Sequence, residues 1–216
     1  MITKTEEVVI KPLKMNEVAI RIVGDSPLIV HAWSEKAKKM MLDAQMGKSK
    51  GKAKDLKNPV EDFIGAAYWL SEKPTEMTED GFANAIKNGA RFGFPVTAFK
   101  QAAISAAYRM GWSKDKVSLK SAFFIKSVNG DMAEIESDIP VMREDMVRVG
   151  MGTADIRYRP EFRNWSTVLV IEYDENGKLS FENILTMLNA GGKVNGVGEW
   201  RPEKDGIFGT FHVEPV

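Results

Sequence analysis

Trp165-Ser-Thr-Val-Leu-Val-Ile-Glu-Tyr-Asp-Glu-Asn-Gly-Lys-Leu-Ser-Phe-Glu-Asn-Ile-Leu-Thr-Met-Leu-Asn189 carries two structural periods within twenty-five residues. Trp165 to Tyr173 is rich in β-branched and aromatic side chains, which predicts a strand. Asp174-Glu-Asn-Gly177 turns it. Ser180 then caps a helix to Asn189, with Phe181, Ile184, Leu185 and Leu188 spaced by three and four along one face. After a glycine-rich stretch, Ile207, Gly209, Phe211 and Val213 alternate onto one side of a last strand, Ile207 to Val213.

The earlier part of the chain supplies the other elements, and there is no internal sequence repeat. Glu17 to Val30 reads as a strand, with Val18, Ile20 and Ile22 alternating against Glu17, Ala19 and Arg21. Gly24-Asp-Ser-Pro27 bends it before Leu28-Ile-Val30. Pro95 to Met110 is the clearest helix, with Ala98, Phe99, Ala102, Ala103, Ala106 and Ala107 in register and Gly111 as its stop. Its alanine face predicts close packing on a sheet. Ala122 to Val128 is a strand, Asn129-Gly130 a tight-hairpin signal, and Met132 to Glu136 its expected partner. Strand, helix, strand, strand, helix, strand is the split βαβ order. The expected fold is α+β, one domain over 1–216, with a ferredoxin-like or RRM-like βαββαβ core.

Two long insertions interrupt that core, at 32–94 and 129–165. Connections of this length are functional or disordered. The first predicts helices at Ser34 to Met46 (stripe Ala37, Met40, Met41, Ala44), at Val60 to Leu70 and at Thr78 to Asn88. Between the first two lies a loop holding Lys48, Lys50, Lys52, Lys54 and Lys57 against one acid, Asp55. In the second, Ile139 to Arg163 is an irregular stretch or a long hairpin.

Composition removes several function classes. The absence of cysteine excludes disulfides, thiolate metal sites and cysteine nucleophiles. Only His31 and His212 supply imidazole, and the carboxylates Glu134, Glu136 and Asp138 have no converging partners in sequence, so neither a metal site nor a cofactor is expected. No apolar run approaches the roughly 20 residues of a membrane span. Met1 to Lys14 holds no signal-peptide core. A soluble, cytoplasmic protein is expected. Thirty basic residues balance thirty acidic ones, which argues against a generic polycation but leaves room for a local basic surface.

Candidate binding residues fall in three places. Gly191, Gly192, Gly196, Gly198, Gly206 and Gly209 occur within nineteen residues; glycine there means positive φ or something packed on the backbone. Either its N–H groups approach phosphates while Lys193, Arg201 and Lys204 supply charge, or it is a run of turns and a bulge. No Walker-type Gly-Lys-Ser/Thr follows, so nucleotide hydrolysis is not expected. Residues 143–165 carry Arg143, Arg148, Arg157, Arg159 and Arg163 among Met146, Met151, Tyr158, Phe162 and Trp165. Cations beside flat or soft side chains suit a strand-binding surface. Alternatively Glu144, Asp145, Asp155 and Glu161 pair with the arginines. The lysine loop is either a phosphate-grasping segment or a solubilising one.

Gly24-Asp-Ser-Pro-Leu-Ile29, Phe94-Pro-Val-Thr-Ala-Phe-Lys-Gln-Ala-Ala103 and the terminal Gly206-Ile-Phe-Gly-Thr-Phe211 together resemble the RAMP superfamily of CRISPR effector proteins. The likeness is to the backbone subunits that polymerise along a guide RNA, and it covers about half of the chain. Lys100 matches the lysine of that family's helix-opening motif, while Val96-Thr-Ala98 replaces its Gly-Ser-Ser. The chain also resembles small phage-encoded proteins with the pattern Arg159-Pro-Glu-Phe162 … Gly198-Glu-Trp-Arg-Pro-Glu-Lys204.

The resemblance implies a non-enzymatic protein that binds RNA or single-stranded DNA and oligomerises head-to-tail along it. It would work in a bacterium or phage-infected host, in replication, recombination, or CRISPR-related defence or counter-defence. The glycine-rich loop (Gly196, Gly198) and Lys100 would hold the strand backbone, and Met151 and Phe162 of a thumb-like hairpin would wedge bases or meet the next subunit. Two alternatives stay open. One is a metal-independent RAMP-type endoribonuclease using His31 as general acid or base. The other is a protein-binding mimic whose partners are CRISPR effector subunits.

Overall fold

The computed structural model describes residues 11–33, 35–47, 56–149 and 152–216. Lys48, Lys50, Lys52, Lys54, Met151 and the expected cap Ser34 lie outside the described residues.

The chain is mixed α+β with antiparallel sheets. In order, β1 (Met15–Gly24) and β2 (Leu28–Ile29) precede α1 (Glu35–Gln45), α2 (Pro59–Ala66) and α3 (Glu79–Lys87). β3 (Gly93–Pro95), α4 (Val96–Arg109), α5 (Lys116–Ala122), β4 (Phe123–Lys126) and β5 (Met132–Glu134) follow. β6 (Val141–Val149) and β7 (Thr153–Phe162) form a long hairpin; β8 (Ser166–Asp174), α6 (Phe181–Ala190) and β9 (Phe211–Pro215) complete the chain.

Four strands pair in the order β4-β8-β1-β9, all antiparallel. One face of this sheet buries Ile20, Ile22, Phe123, Leu169, Ile171 and Phe211. Phe99 and Ala103 of α4 and Ile184 and Leu188 of α6 join the same cluster. Each buried large apolar side chain contributes about 1.5–3 kcal/mol, so this helix-on-sheet layer is the main source of stability. The alanines of α4 allow the close approach. A Cβ on Gly191 would lie 2.6 Å from the Ala103 nitrogen.

Several expectations hold at the level of single residues. Ser180 accepts from the Asn183 N–H, Thr78 from the Gly81 N–H, and Gly111 ends α4 at φ 73°. Three expectations are corrected. Asn129-Gly130 makes a tight turn, but β5 does not pair with β4; it crosses to β3, while β4 pairs with β8. The apolar stripe of α1 is not buried: Met40, Met41 and Leu42 are exposed. The spacing identified a helix and its stripe but could not supply a surface to cover it. The last strand begins at Phe211, and Ile207 stands in solvent.

A second sheet, β2-β7-β6, is built from the bend after β1 and the hairpin. β2 pairs with β7 only at Phe162 and Glu161. The nine-residue pairing of β6 with β7 runs well beyond it as a two-stranded ribbon.

Candidate nucleic-acid interface

The glycine-rich segment folds back on the protein itself. Gly191 to Asn195 continue α6 as a π-helical turn. Beyond it, the Val197 N–H donates to the Gly209 carbonyl, the Gly209 N–H to Pro27 and the Glu199 N–H to Ile29. Gly198 and Gly209 adopt φ of 77° and 66°, and a Cβ on them would lie 2.4 Å from the Ile29 oxygen and 1.8 Å from the Val197 oxygen. What packs against these glycines is backbone, so the turn reading explains them and a phosphate cradle is not needed. Gly209→Ala should therefore cost about 2 kcal/mol of stability. A urea midpoint unchanged by that substitution would count against this role.

Beside the segment lies a cleft of about 230 Å³. His31, Tyr68 and Phe94 line it with Gln101 of α4 and Gly198, Glu199, Arg201 and Glu203 of the loop. Backbone bonds fix His31: the Val30 N–H reaches the Pro160 carbonyl, and the Ala32 N–H the Ala66 carbonyl. Burial and then the Arg159 charge push the His31 imidazole below its ordinary value. A depressed histidine contributes stability that is present above about pH 6.5 and lost as pH falls below it. The ring is neutral at pH 7. His212 behaves oppositely: hydrogen bonds with Asp25 and Glu214 raise its pKa, and that contribution is lost as pH rises.

The ribbon pairs most of its arginines with its own acids. Arg143 reaches Asp145 at 2.7 Å and Glu161 at 3.1 Å, Arg163 reaches Glu161 at 2.8 Å, and Arg157 reaches Asp155 at 2.8 Å. Arg159 is 5% exposed and lies between Asp145 and Glu199. Burial alone would raise the Glu161 carboxyl; the hydrogen bonds from Arg163 and Arg143 outweigh it and hold the group below the ordinary range. Arg143 also stacks on the Phe208 ring at 4.5 Å, so the ribbon and the glycine-rich segment meet. Arg159 is thus a buried structural cation, a correction to its expected phosphate contact. Phe162 is likewise corrected: it is fully buried against Phe92 and cannot wedge a base.

Cross-strand register explains what remains on the surface. Met142, Glu144, Met146 and Arg148 face the same side as Pro160, Tyr158, Ile156 and Ala154. Met146 is 69% exposed, and Met142, Ile156 and Arg148 are exposed with it. Tyr158 is half-buried beside Glu144. Lys57, two residues before α2, ties the ribbon down through Asp155 at 2.7 Å and the Ile156 carbonyl.

Other expected contacts do not converge. Lys100 points at the α5 side of α4, where its ammonium donates to the Lys120 carbonyl and sits 4.7 Å over Phe124; burial lowers its pKa. Arg201 is held by the Gly198 carbonyl and Glu203. Lys193 is exposed. Gln101, Tyr68 and Glu199 were not anticipated. Gln101 lies three residues from Ala98 and one from Ala102, so the helix period could have placed it on the cleft; Tyr68 and Glu199 leave no such signal.

The sequence matches no protein-family model and has no significant match among curated proteins. Among the described residues no cluster of three or more His, Asp or Glu side chains could hold a metal ion. No described helix is long and apolar enough to cross a membrane.

Proposed function

We propose that this protein is a RAMP-type, ferredoxin-like chain that binds RNA or single-stranded DNA and assembles head-to-tail along it without cutting it. The sheet order β4-β8-β1-β9 supports the fold: taking β1, β4, β8 and β9 as the core strands, with α4 and α6 as the core helices, gives the split βαβ arrangement.

The observation that carries the function is the ribbon. It extends past its two-residue anchor on β2 and presents Met142, Met146 and Ile156 beside Arg148. A two-stranded ribbon with an exposed apolar face is marginal alone, and aliphatic groups next to a cation suit wedging between bases along a charged strand. A second, different apolar surface is the face of α1. Heterologous assembly needs two unlike patches on one chain.

The test is size-exclusion chromatography with light scattering, with RNA and DNA strands of about 40 nucleotides, long enough for several copies. Growth into multi-subunit species at low salt, reversed at high salt, is expected. Arg148→Glu should weaken binding and flatten the salt dependence by about one unit of slope, and Met146→Glu should reduce assembly. A species that ignores both strands would sink the proposal and favour a protein partner.

His31 in the cleft favours the endoribonuclease as a second reading. Glu199 and Glu203 share that cleft, and their charge opposes the negative charge that develops at phosphorus during cleavage. Intact hairpin RNA after incubation in EDTA is therefore expected. Cleavage that His31→Ala abolishes would reverse this choice.

A further inference from the structure

The lining of the cleft is wrong for a phosphate and right for a base. Two carboxylates face it, while its one guanidinium, Arg201, is already occupied by the Gly198 carbonyl and Glu203. Glu203 is further engaged by Arg109 at 3.1 Å. Among the described residues Glu199 has a single 3.5 Å contact, with Arg159, and its side chain is 40% exposed. It is the acceptor with capacity to spare. Neutral His31 offers one N–H and one lone pair, and the Gln101 amide offers both functions again. The Tyr68 and Phe94 rings, perpendicular at 6.0 Å, supply flat apolar wall.

We propose that this cleft takes up one unstacked nucleobase and selects bases carrying an exocyclic amine, namely cytosine, adenine and guanine. Unpaired bases are read through their edges by side chains of this kind while aromatic rings hold their faces. The amine donates to the Glu199 carboxylate, the pairing by which acidic side chains recognise cytosine. Uracil and thymine place their single ring N–H between two carbonyl oxygens, whose lone pairs face the carboxylate and repel it. The delivery of that base by a strand rests on the function proposed above; the selectivity of the cleft does not, and free nucleosides address it alone.

The 216-residue chain has two histidines, His31 and His212, so its imidazole NMR signals can be assigned with one variant, His31→Gln. Cytidine and adenosine at about millimolar concentration should shift the His31 signal and leave His212 unmoved. Uridine should bind about tenfold more weakly, and Glu199→Gln should erase that difference. A His31 signal indifferent to all three nucleosides, or moved equally by uridine, would overturn the selection. Strand binding with no nucleoside response removes the base site and leaves the strand-binding proposal standing. A nucleoside response in a protein that ignores strands keeps the selectivity and removes the strand.

Discussion

Asp145→Ala should lower stability by about 3–5 kcal/mol, far more than the loss of a surface ion pair. Asp145 is 6% exposed and accepts from Arg143 at 2.7 Å and Arg159 at 3.4 Å. Among the described residues, removing its carboxylate leaves the buried Arg159 guanidinium with one long contact, to Glu199. An uncompensated buried cation is the costly outcome; two charges replaced together by apolar groups is not. The double variant Asp145→Ala with Arg159→Met should therefore recover most of the loss. Urea midpoints at constant m-value measure both. A single-variant cost below about 1 kcal/mol would show that the cluster is solvated. The same burial sets a functional expectation. Arg159→Met should change strand affinity little, whereas the exposed Arg148 should matter.

Arg159 also shows where the sequence stopped being readable. Its neighbours announced a hairpin and a choice between phosphate contact and internal pairing. Only the register resolves that choice, because it sets Arg143 opposite Arg159 and Asp145 opposite Arg157. Like charges directly opposite repel, so the ribbon interleaves acids between them. β8 and α6 were legible because their period and caps are local, with Ser180 bonding its own helix. The glycines were legible as special positions but not as to what fills the space beside them. Gly198 faces Ile29, some 170 residues earlier in the chain, and no local pattern encodes that. α5 was missed although Asp115 caps it by accepting from the Val117 and Ser118 N–H groups; its one buried residue, Leu119, left no apolar period to find.

Trp165→Ala should cost a further distinct amount, about 3–5 kcal/mol, and should loosen the ribbon as well as the core. Trp165 is 1% exposed, with Phe99 and Phe211 each 6.4 Å away by ring centroid. Its indole N–H donates to the Ser26 carbonyl at 2.8 Å, and its own carbonyl accepts from the Gly24 N–H at 2.8 Å. The ring fills the space where a Gly24 Cβ would stand, 2.1 Å from Nε1. Ser26 in turn bonds Thr210 through its hydroxyl at 2.7 Å. One side chain thus fixes the bend at which the chain leaves β1 in the four-stranded sheet and enters β2 beside the ribbon. Trp165→Phe keeps part of the apolar area but removes the donor to Ser26 and leaves a cavity where the second ring stood, so it should cost about 2–3 kcal/mol, less than Trp165→Ala. Hydrogen exchange separates the two contributions. Trp165→Ala should lose amide protection in β7 near Glu161 and Phe162 together with β1, because the bend carries the β2 anchor. Protection lost around α4 and β9 alone would mean that Trp165 only fills the core and that the ribbon is positioned by Lys57 and α2 instead.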